Sequence, residues 1–110
     1  KGVMTTQQNV VRTVCYSNFV TIVPTDRILQ LSNYAFDGSA FDIFGTLLNG
    51  ATLVLIRKEE VLNITSLSRI LREEQITLFF LTTALFNTLV DLDVSCLTNI
   101  RHVLFGGERV

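Results

Sequence analysis

Apolar positions along the chain change period from one segment to the next. Val10, Val11, Val14 and Cys15 recur at helical spacing behind Thr5-Thr6, residues suited to capping, so a helix is expected over Gln7–Tyr16. Asn18–Asp26 carries the chain's one proline, Pro24, and reads as a loop. Arg27–Asn33 (RILQLSN) reads as a strand. Gly38–Asn49 reads as a helix with Phe41, Phe44, Leu47 and Leu48 as its apolar stripe, stopped by Asn49-Gly50. Ala51–Ile56 (ATLVLI) is apolar throughout, the pattern of a strand buried on both faces. Ser66–Glu74 places Leu67, Ile70 and Leu71 on one helix face and Arg69, Arg72, Glu73 and Glu74 on the other. Ile76–Leu81 (ITLFFL) is a second buried strand, and Thr82/Thr83 open a helix to about Val90. His102–Phe105 is a third buried strand and runs into Gly106-Gly107-Glu108.

Strands that alternate with helices in this way predict an α/β fold: a flavodoxin-like parallel sheet of βαβ units with right-handed crossovers. No linker, repeat or low-complexity stretch divides residues 1–110, which read as one body. Ligands of such sheets bind beyond the carboxyl ends of the strands. Chemistry is therefore expected at Tyr34–Phe41, Arg57–Glu59, Phe80–Ala84 and Phe105–Glu108.

Composition sharpens this picture. The chain is 48% hydrophobic and 17% charged, against about 25% charged in an average soluble protein, and its mean hydropathy is +0.43. Disorder is excluded by so many large apolar residues. A membrane span is not expected, because the uncharged stretches Ile43–Ile56 and Ile76–Val90 are shorter than the roughly 18–20 apolar residues needed and are interrupted by Asn49, Gly50, Thr82, Thr83 and Asn87. The apolar excess fits a piece of a larger body whose surface is covered by other segments, and the isolated chain is expected to aggregate or dimerise. Nine Lys+Arg against ten Asp+Glu, with no basic run, give no electrostatic basis for binding nucleic acid. Cys15 and Cys96 read as two reduced, buried thiols, since two cysteines and one histidine without close spacing make no zinc motif. Lys1-Gly2-Val3-Met4 is not a signal peptide, so the expected compartment is cytoplasmic, where the Asn63-Ile64-Thr65 sequon carries no meaning.

Asp37 is the sharpest candidate residue. Between a strand end and a helix start it serves either as a helix cap or as a carboxylate that pairs with a ligand's ammonium group. Asp42 reads as a first-turn helix carboxylate. Gly106-Gly107-Glu108 is a Cβ-free turn where a flat ring or a phosphate has access to backbone, although turns account for most such pairs. Phe36, Phe41, Phe44, Phe79, Phe80 and Phe105 are core residues by default, with two or three available to wall a pocket. His102 reads as structural. No Ser/His/Asp set, catalytic carboxylate pair or complete phosphate loop is present.

Four stretches, in order, resemble adenylation domains of nonribosomal peptide synthetases, within the adenylate-forming enzyme superfamily. Lys1-Gly2-Val3 resembles the end of the family's phosphate loop, and Asn9-Val10-Val11 the helix that follows. Phe36–Phe44 (FDGSAFDIF), with Leu47-Leu48-Asn49-Gly50-Ala51, resembles the "FD-x-S" core motif. Asn99–Val110 (NIRHVLFGGERV) resembles the strand and Gly-Gly-Glu turn before the adenine-binding motif. The resemblance implies part of the large N-terminal subdomain of such an enzyme. It implies an ATP- and Mg2+-dependent reaction that makes an aminoacyl-adenylate and passes the acyl group to the phosphopantetheine thiol of a carrier domain. The implied partners are the rest of the adenylation domain and the neighbouring carrier and condensation domains.

By the same resemblance Asp37 binds the substrate's α-ammonium group, and Gly38, Phe41, Phe80, Leu104 and Gly106 line the side-chain pocket. Lys1, Gly106, Gly107 and Glu108 approach the nucleotide. A wall of glycine, phenylalanine and leucine leaves a polar substrate side chain unpaired, at a cost of about 1–3 kcal/mol, so an aliphatic amino acid is expected. The series also resembles the family's isoleucine pattern, which puts isoleucine ahead of valine and leucine. The phosphate loop's glycines, serines and threonines, the adenine-binding motif, the ribose-binding Asp and the catalytic lysine of the C-terminal subdomain are absent from residues 1–110. No adenylation is expected from this chain alone. Two other readings compete: an acyl- or aryl-CoA ligase of the same superfamily, against which Asp37 argues, and a small non-catalytic flavodoxin-like binding module.

Overall fold

A computed structural model describes residues 2, 4–15, 20–31 and 37–106, without the side chains of Asp37, Gly38 and Leu62. In chain order the elements are α1 (Gln7–Cys15), β1 (Arg27–Gln30), α2 (Asp37–Leu48), β2 (Thr52–Leu55), α3 (Lys58–Leu62), α4 (Ile64–Glu73), β3 (Leu78–Thr82), α5 (Thr83–Asp93), a 3-10 turn at Val94–Leu97 and β4 (His102–Gly106). The four strands form one parallel sheet in the order β2-β1-β3-β4. The predicted α/β fold of βαβ units is therefore present. From β1 the chain passes through α2 to β2; from β2 it crosses back through α3 and α4 to β3, and then through α5 to β4. The direction of winding reverses between β1 and β3, and a reversal of this kind opens a crevice at the carboxyl ends of the two strands.

Alternation along the strands sends successive side chains to opposite faces. On one face Leu29, Phe79 and Leu81 meet Leu67, Ile70 and Leu71 of α4, Leu89 of α5 and Cys96, all buried. Leu67, Ile70 and Leu71 are the inward residues read from the sequence. Asn63 caps α4, its side chain accepting from the backbone N–H groups of Thr65 and Ser66. Gln75 ends the helix in the left-handed region (φ 53). Thr82 caps α5 by accepting from Leu85 N–H. On the other face Ile28 and Leu78 pack with Phe41 of α2, Val14 of α1, and Val20 and Ile22 of the connecting loop. Gly45 permits this approach, because a Cβ there would lie 3.0 Å from Ile22 Cδ1. Asn49 Nδ2 donates to the carbonyls of Val14 and Gly45 and ties α1 to the end of α2. Gly50 (φ +70) supplies the left-handed turn that the sequence placed there.

Several expectations need correction. The buried side of α2 is Ser39, Phe41, Asp42 and Thr46, while Phe44, Leu47 and Leu48 are 44%, 63% and 50% exposed. Asp42 is a fully buried second-turn residue rather than a first-turn carboxylate, because α2 starts at Asp37. ATLVLI is not buried on both faces: β2 is the edge of the described sheet and Leu55 is 70% exposed. The last strand is likewise an edge, half-buried rather than buried. Cys15 is exposed, because α1 buries only Val14; Cys96 is buried as expected, and both are free thiols. The charged α3 had no counterpart in the sequence reading. Strand β1 ends at Gln30, and Tyr16, Ser32, Asn33, Tyr34, Ala35 and Phe36 lie outside the described residues. Among the described residues no helix is long and apolar enough to cross a membrane.

Candidate functional site

The carboxyl ends of β3 and β4 lie side by side. Register pairs Phe80 with Leu104 and Thr82 with Gly106, so these four residues share one sheet face. Helix α2 packs over that face against β1, β2 and β3. Phe41, just past its first turn, is 7% exposed, and its ring centroid lies 6.3 Å from that of Phe80 at an interplanar angle of 49°. Phe80 and Leu104 both pack against the cluster that contains Phe41. Three residues far apart in sequence thus form one apolar wall beside the β1/β3 crevice. Gly106 closes β4, and a Cβ built there would meet nothing within 4 Å among the described residues.

Asp37 is the first residue of α2, which brings its backbone to the strand-end side of the sheet above Phe41. Lys1, Gly107 and Glu108 lie outside the described residues. Phe79 is wholly buried on the opposite face. Phe105 points to that face as well, is 37% exposed, and stacks on Phe86 of α5 at 4.2 Å and 5°. Phe44 is on the outer side of α2. His102 sits half-buried at the opposite end of β4 from Gly106.

The amino ends of the strands hold a polar cluster that the sequence reading missed. Asp26, 2% exposed, accepts from Val23 N–H (2.9 Å), Thr77 Oγ1 (2.7 Å) and Arg101 Nε (3.2 Å), and its second oxygen also takes Arg101 Nη2. Arg101 Nη2 donates further to Thr21 O at 2.6 Å. Thr77 Oγ1 accepts from Arg27 N–H, and the Asp26 carbonyl accepts from Thr52 N–H. Burial alone would push the Asp26 carboxyl up, but the bonds from Arg101, Val23 and Thr77 and the guanidinium charge outweigh it and hold the group below its ordinary value. One signal was available: Asp26, Thr77 and Arg101 each stand immediately before a strand.

A surface cleft of about 510 Å³ lies between α4 and α5, lined by Thr65, Ser68, Arg69, Arg72, Glu73, Leu92 and Asp93. Its charges are paired, Arg72 with Asp93 across the cleft and Arg69 with Glu73 along α4. It lies on the α4/α5 side, away from Phe41, Phe80 and Leu104. Among the described residues no three His, Cys, Asp or Glu side chains gather to hold a metal ion.

The family model of the AMP-binding enzyme matches residues 1–110, the whole chain. The chain belongs to the AMP-binding enzyme family. Bacitracin synthase 1 of Bacillus licheniformis is 55% identical over 99% of this chain and 2% of its own length. Surfactin synthase subunit 1 of Bacillus subtilis (strain 168) is 52% identical over 99% of this chain and 3% of its own. Among solved structures, holo-PA1221, a nonribosomal peptide synthetase protein containing adenylation and PCP domains bound to a vinylsulfonamide inhibitor, superposes with a TM-score of 0.80. It is 36% identical over 90% of this chain and 17% of its own. The N-terminal subdomain of Klebsiella oxytoca NpsA in complex with anthranilyl-AMSN gives a TM-score of 0.78 at 25% identity, over 92% of this chain and 26% of its own. The likeness to these synthetases therefore holds over 99% of this chain, which spans 2–3% of their length.

Proposed function

We propose that residues 1–110 are the amino-acid-recognition part of an adenylation domain within a nonribosomal peptide synthetase. The parent protein condenses a branched aliphatic amino acid with ATP to aminoacyl-AMP and pyrophosphate. Isoleucine is favoured, then valine and leucine. The acyl group then passes as a thioester to a phosphopantetheinyl carrier domain, in the cytoplasm. The meeting of Phe41, Phe80 and Leu104 beside the sheet's point of reversal carries this reading.

In this arrangement the Asp37 carboxylate holds the substrate's α-ammonium, which gives a charge near an apolar wall the partner it needs. Gly38 and Gly106 leave room for the side chain, and Phe41, Phe80 and Leu104 exclude water from it. A single methylene in such a pocket is worth about 1–3 kcal/mol, so selection among isoleucine, valine and leucine is incomplete. Gly106, Gly107 and Glu108 border the nucleotide, and Lys1 faces its phosphates. Mg2+ would neutralise phosphate charge when ATP is bound. Asp37 also separates this reading from that of an acyl- or aryl-CoA ligase, whose carboxylic acid has no ammonium. Asp37→Ala in the full-length protein is expected to lower kcat/KM for the amino acid by about a hundredfold or more, measured by amino-acid-dependent ATP–pyrophosphate exchange. Unchanged exchange would refute the ammonium anchor.

A further inference from the structure

The apolar wall is shared between α2, β3 and β4, and β4 is an edge strand of the described sheet. It pairs with β3 alone. Its start is held by more than the strand ladder. The Thr77 carbonyl accepts from both Arg101 N–H (2.6 Å) and His102 N–H (3.1 Å). The Arg101 side chain then reaches back to the Asp26 carboxylate through two nitrogens and to Thr21 O through one of them. The acceptors belong to the segment that leads into β1, on the far side of β3. The side chain therefore spans from the edge strand to the interior of the sheet. Asp26 is itself fixed by Val23 N–H and Thr77 Oγ1, so Arg101 docks onto a rigid acceptor. A planar guanidinium held by two nitrogens sets direction as well as distance.

We propose that Arg101 is a positioning residue for the amino-acid pocket: by docking on Asp26 and Thr21 it fixes β4 along β3, and so fixes Leu104 and Gly106 against Phe80 and Phe41. The inference rests on the reading of those residues as the pocket. Leu104 is three residues beyond Arg101, about 10 Å along a strand, so Arg101 touches no substrate and acts through the strand. At the other end of β4 the stack of Phe105 on Phe86 adds a further side-chain restraint among the described residues. Loss of the Arg101 dock leaves β4 free to shift against β3, which changes the depth of the pocket and leaves Phe41 and Phe80 where they are.

The test uses the full-length protein with Arg101→Met, which keeps the apolar stem, and Arg101→Lys, which keeps the charge but not the two-nitrogen dock. Arg69→Met, on the outer face of α4, is the control. Misplacement of a binding wall by a fraction of an ångström is expected to raise KM for isoleucine about tenfold and to narrow the isoleucine-over-leucine ratio, with kcat and KM for ATP within about twofold. Arg101→Lys should fall between wild type and Arg101→Met. Hydrogen exchange gives a second readout that is independent of activity: the amides of β4 should exchange faster in both variants, with those of β1 and β2 unchanged. If Arg101→Met fails to fold, Arg101→Lys decides. Unchanged isoleucine KM and unchanged β4 exchange in a folded variant overturn the proposal. Absence of amino-acid-dependent exchange in the wild type overturns the adenylation reading instead, and β4 exchange still decides whether Arg101 positions the strand.

Discussion

At the amino ends of the strands a carboxylate, a guanidinium and a threonine hydroxyl bind one another; toward the carboxyl ends two phenylalanines and a leucine form an apolar wall, with Gln30 and Thr82 at the strand ends and a glycine where an added Cβ would meet no described atom. The first cluster meets its own electrostatic needs. Asp26 is nearly inaccessible yet has donors on both oxygens, so a ligand has nothing to offer it. The second has surface to cover and a helix start, at Asp37, leading onto it. Perturbed carboxylates are often read as functional sites, and Asp26 shows why partners must be counted first. Its shifted pKa marks a fastening, and the proposed chemistry is at the other end of the same strands.

Mutations can break this contrast. Asp26→Ala leaves Val23 N–H, Thr77 Oγ1 and Arg101 without their acceptor and should cost about 2–3 kcal/mol, read as a lowered unfolding midpoint of the full-length protein's adenylation domain. Asp37→Ala should do the reverse, removing amino-acid activation with a smaller shift of that midpoint. A pH series sharpens the same point. The folded Asp26 pKa lies below the unfolded value of about 3.9, so its contribution is fully present above that value and is lost as pH falls through the folded pKa. Acid titration of stability should therefore be shallower in Asp26→Asn than in wild type below about pH 4. The smallest expected effect lies away from both ends: Asn63→Ala removes the α4 cap and should cost about 1 kcal/mol, with no change in amino-acid selectivity.

The elements read correctly from sequence are those whose pattern has a single cause. Leu67, Ile70 and Leu71 face one core and Arg69 and Arg72 face water, so α4 was legible, as was β3 with Phe79 wholly buried. Helix α2 misled because its apolar residues do not all face the sheet. Phe41 packs inward with Ser39, Asp42 and Thr46, while Phe44, Leu47 and Leu48 form an outer apolar side. Edge strand β2 misled in the same way through Leu55. These exposed residues contribute to the high hydropathy of the chain. Asp26 and Arg101 were missed because 75 positions separate them and neither stands in a motif. The wall of Phe41, Phe80 and Leu104 was legible only through a family resemblance, since no local period relates positions on a helix and two strands.

The central claim is that this wall, with Asp37, selects a branched aliphatic amino acid for adenylation. The most direct measurement is ATP–pyrophosphate exchange by the full-length protein across a panel of amino acids. The account predicts the highest kcat/KM for isoleucine, lower values for valine and leucine, and little exchange with aspartate, lysine or glutamine. Preference for a charged or strongly polar amino acid, or exchange driven equally well by the carboxylic acid that lacks the amino group, would contradict it.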